Sequence, residues 1–133
     1  MIEMKRCPTK FALKFFKKWS IEVIRDIWFG KERFTEILQA NPGLSTKVLS
    51  QRLRELEKYG IVDKRIVSKS PMRARYLLTE KGQALNRIMF DLAIFSYDYY
   101  ANEIFKGKTP SRPEMIKMTS NNFKIDQTDL SGY

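Results

Sequence analysis

Asn41, Pro42 and Gly43 interrupt two stretches of helical apolar spacing, and this short break constrains the fold more than any other feature of the chain. Before it, Phe34, Ile37 and Leu38 recur at three and four. That helix must stop, because the ring of Pro42 pushes Asn41 out of the helical region. After the break, Ser45 can accept from the unpaired N–H groups that open a new helix. Leu49, Leu53 and Leu56 form its apolar stripe, and Gly60 lies just past its end. Two helices joined by a tight turn make a helix-turn-helix.

Upstream, Pro8 suits the first turn of a helix, and Phe11, Ala12, Phe15 and Phe16 predict one over residues 8–17. Ser20 is expected to cap a second, with Val23, Ile24, Ile27 and Trp28 on one face and Gly30 beyond. Downstream, the β-branched Ile61, Val62, Ile66 and Val67 and the alternation around Leu77 predict a two-stranded hairpin over about 61–79. Its tip carries Lys69 and Arg73. Thr79 then caps a long helix reaching Phe105, in which Leu85, Ile88, Met89, Leu92, Phe95 and Tyr99 recur at three and four. Residues 107–133 read as a linker followed by a loosely ordered tail, since Gly107 to Pro113 is rich in turn formers and little periodicity follows. The fold class is therefore mainly α with a small β-hairpin. Residues 1–106 are expected to form a winged helix-turn-helix, with the helices over 8–17 and 79–105 serving dimerisation, because the last helix carries more apolar surface than one small domain can cover.

The chain of 133 residues is long enough for one domain and short for two, and it carries 25 Lys and Arg against 15 Asp and Glu, a net charge of +10. It has no His and a single Cys, which removes the commonest general base and the usual zinc ligands. No catalytic residue, metal or cofactor is expected. No apolar run is long enough for a membrane span, and the basic first 18 residues do not resemble a signal peptide, so a reducing cytoplasm is the expected location. The charge is concentrated: residues 43–78 carry +6 and residues 1–18 carry +5, whereas 79–105 carry −2. Positive charge gathered on a helix-turn-helix and its hairpin points to double-stranded DNA as the partner.

On a helical wheel, Lys47, Ser50, Gln51, Arg54 and Lys58 cluster opposite the leucine stripe, with Ser45 and Thr46 at the start of the helix. Arg and Lys can pair with guanine edges and Gln with adenine, so this face suits a major groove; the plain alternative is a solvated surface. Arg73 at the hairpin tip suits a narrow minor groove, and Lys69 and Arg75 suit phosphates. Against that reading, charges on a two-stranded edge also block edge-to-edge association. The aromatics Phe15, Phe16, Trp19, Trp28, Phe95, Tyr97, Tyr99 and Tyr100 leave two readings open: a pocket for a small-molecule effector, or core and subunit contacts, which are the commoner use.

This order of elements, together with Cys7-Pro8, Lys18-Trp19, Gly30, Arg33-Phe34 with Glu36, the run LSTKVLSQRLREL over 44–56, Gly60 to Val62, Pro71 with Arg73 and Tyr76, and Leu78, Thr79 and Gly82, resembles the HxlR-type winged-helix transcriptional regulators of the MarR-like group. The sequence departs from that pattern in having Phe16 and Lys17 where two Gly are usual, Met72 where a second Pro is common and Arg75 where an acidic residue is common. The resemblance implies a homodimeric, sequence-specific DNA-binding regulator. An architectural protein coating DNA through charge, with little base readout, is the alternative. It also draws attention to Cys7, because some relatives sense oxidants or electrophiles through this cysteine. Lys5, Arg6 and Lys10 place positive charge around it, a setting that favours thiol reactivity. Its other reading is a small helix-start residue packed against the dimer partner.

Overall fold

The computed structural model describes residues 1–133. Its elements follow the chain as α1 (Pro8–Ala12), a 3-10 turn (Leu13–Phe15), α2 (Ser20–Trp28), α3 (Phe34–Ala40), α4 (Thr46–Lys58), β1 (Val62–Lys69), β2 (Met72–Leu78), α5 (Glu80–Gln83), α6 (Asn86–Ile104), α7 (Arg112–Asn122) and a 3-10 turn over Gln127–Leu130. They form two compact units, Met1–Gln83 and Ala84–Tyr133, so the division falls inside the stretch expected to be one long helix.

In the first unit the core is built from Val23, Ile24, Ile37, Leu49, Leu53, Leu56, Ile61 and Val62, each at most 2% exposed. The leucine stripe is thus the buried side of α4. Ser45 Oγ accepts from the N–H of Val48 at 3.1 Å, satisfying one donor that an α-helix start leaves unpaired. At the other end Gly60 takes φ +74°, and the N–H groups of Gly60 and Ile61 return to the carbonyls of Glu57 and Leu56. Gly30 closes α2 in the same way, with bonds from Gly30 and Lys31 to Ile27 and Asp26. Between α3 and α4, the buried Asn41 donates to Asp26 at 2.7 Å and to the Ile37 carbonyl at 2.8 Å, pinning the turn to α2.

The hairpin is antiparallel, registering Val62 with Leu78 and Lys69 with Met72, with an irregularity between Ile66 and Ser68. Its root is anchored twice. The Tyr76 N–H donates to the Glu32 carbonyl at 2.8 Å, and the Thr79 N–H donates to the Ile61 carbonyl at 3.0 Å. Thr79 Oγ1 also donates to the Gly60 carbonyl and accepts from the Gly82 N–H at 3.1 Å. A Cβ on Gly82 would lie 2.2 Å from the Ile61 carbonyl oxygen, so this position admits no side chain without backbone movement.

The structure corrects four expectations. Residues 8–17 are not one helix: α1 is five residues long and gives way to a 3-10 turn, and Phe16 leaves the helical region at φ −108°, ψ 47°. Ser20 does not cap α2; it is the first helical residue, and Trp19 precedes it in a left-handed conformation at φ +78°. Thr79 starts the short α5, not a helix reaching Phe105, because a turn at Ala84 and Leu85 separates α5 from α6. The stretch after Gly107 is not a loose tail. In the second unit α7 lies against α6 and buries Met115, Thr119 and Ser120, followed by Phe123 and Leu130. Ser111 caps α7 through the Glu114 N–H at 3.3 Å, Arg112 pairs with Asp98 at 2.9 Å, and Tyr97 donates to the Pro110 carbonyl at 2.6 Å.

Candidate nucleic-acid interface

Burial of the leucines on one side of α4 dictates what its other side presents. Ser45, Thr46, Lys47, Arg54 and Lys58 are exposed, and Ser50 and Gln51 are half-buried along the same face. Arg54 lies back along the helix, its Nε donating to the Ser50 carbonyl at 3.4 Å. A shallow groove lined by Ser50, Arg54, Glu57 and Lys64 runs between α4 and the hairpin. The helix face anticipated from the wheel is therefore assembled on one side of the first unit, with Ser45 doubling as the cap that begins it.

Arg52 does not belong to that face. Its side chain is 15% exposed and donates to the Lys18 carbonyl at 2.7 Å while meeting Glu55 at 3.5 Å. Glu55 in turn takes Lys17 at 3.3 Å. These bonds hold α4 to the segment before α2, so the angle of the presented face depends on residues more than thirty positions upstream. The wheel, with Arg52 on the flank of the leucine stripe, was the available signal for this structural role.

The hairpin separates its three candidate cations. Lys69 and Arg73 lie at the tip, exposed and outside every ion pair of the structure. Arg75 lies nearer the root, and its guanidinium is engaged by the Glu32 carboxylate. Its charge is largely spoken for, and it ties β2 to the segment entering α3. Cys7 is exposed at the start of α1, in a hollow with Arg6, Lys10, Phe11 and Lys14. A helix of five residues contributes little dipole there, leaving the neighbouring cations as the positive surroundings.

The aromatic residues divide between the units. In the first, Phe15 meets Phe16 at 4.9 Å and Tyr59 at 5.4 Å, packing the start of the chain on the end of α4. In the second, Tyr97 meets Phe105 at 6.2 Å, and Phe95 with Tyr99 forms an exposed pair at 5.2 Å.

A short, capped, basic helix beside a two-stranded wing has the architecture of a DNA-reading module, and residues 15–104 match the model of the HxlR-like helix-turn-helix family. The chain belongs to the HxlR-like family. It is 34% identical over 98 residues to the uncharacterized HTH-type transcriptional regulator sll1512 of Synechocystis, covering 73% of each chain. It is also 37% identical over 76 residues to the HTH-type transcriptional regulator YodB of Bacillus subtilis, covering 57% of this chain and 68% of that one. Among solved structures, the reduced form of YodB superimposes with a TM-score of 0.61 at 32% identity, covering 71% of this chain and 95% of that one. The redox regulator HypR in its reduced form gives 0.66 at 29% identity, covering 74% and 100%. This HxlR-like chain is accordingly an HTH-type transcriptional regulator and not an enzyme, and no helix in it is long and apolar enough to cross a membrane. Nearly the whole of YodB or HypR is matched by under three quarters of the chain, and the family match ends at the last residue of α6.

Proposed function

We propose that the protein acts as a homodimer that reads DNA by sequence, with α4 of each subunit in a major groove and the wing tip on the flanking minor groove or backbone. The observation that carries this reading is the division of α4: three leucines at most 2% exposed on one side, and Lys47, Ser50, Gln51 and Arg54 on the other. Dimerisation is supported by α6, where Ile88, Leu92, Phe95 and Tyr99 recur at three and four and are all exposed. A second subunit would cover that stripe and set two recognition helices about 34 to 36 Å apart, one turn of DNA.

The test is the ratio of affinities for a palindromic site, found by genome-wide mapping, and for random duplex at equal salt. Gln51→Ala and Arg54→Ala are expected to relax base preference at individual positions by about 1 to 3 kcal/mol, whereas Lys69→Ala should weaken all sequences alike. Equal losses for site and random DNA in all three variants would favour the architectural reading that the +10 charge keeps open. Light scattering that returned the monomer mass at micromolar concentration would remove the dimer.

Cys7 is the proposed entry point for a thiol-reactive signal. It is exposed among cations, and similar structures include diamide-treated YodB and HypR in its oxidised form. With one Cys per chain, diamide would take two electrons and two protons from two Cys7 thiols, forming an intersubunit disulfide and the hydrazine. Diamide should then change operator affinity in the native protein and leave Cys7→Ser indifferent. An equal response in both proteins would make Cys7 structural.

A further inference from the structure

A second groove lies on the other flank of the wing, between β2 and the start of α3. Arg33, Thr35 and Arg73 stand at its rim, and Phe34, Val67 and Met72 contribute apolar surface. The segment entering α3 is extended at Arg33, and the Glu32 carbonyl receives the Tyr76 N–H, so residues 32 and 33 run beside β2. Along this segment the charges are sorted. Glu32 turns to Arg75 and is consumed by it, while Arg33 is 70% exposed and held by Glu36 at a loose 3.8 Å. Arg73, two residues from Arg75 on the same strand, has no ion pair. Glu32 is thus neutralised by Arg75, Glu36 holds Arg33 only loosely, and two guanidiniums and a hydroxyl line a partly apolar hollow.

We infer that this groove seats the sugar–phosphate backbone of DNA beside the site read by α4, with Arg33 as its principal ligand. The chemistry matches both parts of a nucleotide backbone. Guanidinium N–H pairs and the Thr35 hydroxyl suit phosphoryl oxygens, and the apolar surface suits the deoxyribose. Arg75 is a positioning residue here: by holding Glu32 it keeps a carboxylate away from the phosphate. The inference rests on the DNA-reading function proposed above and adds Arg33 and Thr35 to its backbone contacts, with Arg73 shared between this seat and the wing tip.

The experiment uses the full chain and a random-sequence duplex of about two helical turns, with affinity followed against salt concentration. Arg33→Ala is expected to weaken binding about tenfold near 0.1 M salt and to lower the slope of log affinity against log salt by about one. Arg33→Lys should keep the slope while losing several-fold in affinity, because the ammonium retains the charge without the paired donors. Arg75→Ala should also weaken binding by uncovering Glu32. The double variant Glu32→Gln with Arg75→Ala, which has the net charge of the native protein, should recover most of that loss. A purely structural role for Arg33 would leave the salt slope unmoved, and an unmoved slope in Arg33→Ala overturns the seat. So does a double variant as weak as Arg75→Ala. Lys47→Ala and Arg54→Ala separate the two levels of the reading. If they weaken binding while the Arg33 variants do not, the seat alone falls; if none of them matters, the DNA-reading function falls with it.

Discussion

Helices α4 and α7 are of similar length, thirteen and eleven residues, and each begins with a serine whose hydroxyl accepts the N–H three residues on. They differ in what they bury. Helix α4 sets Leu49, Leu53 and Leu56 into a core shared with α2, α3 and the hairpin, whereas α7 buries Met115, Thr119 and Ser120 against α6. A fully apolar stripe makes α4 the centre of its unit. The mixed stripe of α7 gains stability only through the surface α6 offers it, since an isolated helix of this length is marginal in water. The comparison teaches that a cap can start a helix while the partner surface decides whether it persists.

The sharpest way to break this contrast is to remove one buried side chain from each helix. Leu53→Ala should destabilise the first unit by about 2 to 5 kcal/mol in urea unfolding, the cost of a core cavity. Met115→Ala should instead release amide protection in residues 112–122 and leave α4 as protected as before. Equal loss of protection in α4 after Met115→Ala would mean that the two regions unfold as one block.

Next in size is Gly82→Ala, expected to cost about 1 to 3 kcal/mol because the new methyl meets the Ile61 carbonyl oxygen and the wing root must shift. The measurement is the urea midpoint together with DNA affinity. A neutral result would show that α5 moves aside freely.

Removing the caps compares the helices at their starts. Ser45→Ala and Ser111→Ala should each cost about 1 kcal/mol. The first should show in operator affinity and the second in hydrogen exchange of α7. An α7 indifferent to Ser111→Ala would place all of its stability in packing.

The smallest effect is a pH dependence confined to the second unit. Arg112, through its hydrogen bonds, holds the Asp98 carboxyl below the ordinary aspartate range. A lowered folded-state value stabilises above the unfolded value, near 4, and that contribution is lost as pH falls through the folded one. Amide protection of α7, taken relative to the intrinsic exchange rate at each pH, should therefore fall in acid in the native protein, and Asp98→Asn should remove that decrement.

The helix-turn-helix was legible in residue order because its punctuation acts over one turn of chain. Ser45, Gly60, Gly30 and Pro42 each satisfy or forbid a backbone arrangement within a few residues, and the leucine stripe needs nothing beyond helical geometry to declare its face. Helix α7 had one local signal, the pairing of Ser111 with Glu114 around Pro113, which is a capping-box spacing. Its apolar residues Met115 and Phe123 are separated by Thr119 on the same face, so hydropathy hid the stripe.

By itself, then, the amino-acid order determined the elements from α2 to β2, the side of α4 that is buried and the sign of the charge beside it, since these follow from short-range hydrogen bonding and periodicity. Tertiary structure decided which cations remain available. Arg52 and Arg75 look like DNA ligands by residue type, but the Lys18 carbonyl and the Glu32 carboxylate, 34 and 43 positions away, engage them. Arg33 looks like an ordinary helix-start residue, yet, held only loosely by Glu36, it is 70% exposed and lines the groove beside the wing. Tertiary structure likewise gave the last residues a fold, through the packing of α7 on α6 and the pairing of Arg112 with Asp98. For Arg52 and Arg75 the deciding partner is distant in sequence, and a distant partner becomes available only when the chain has closed the loop between them.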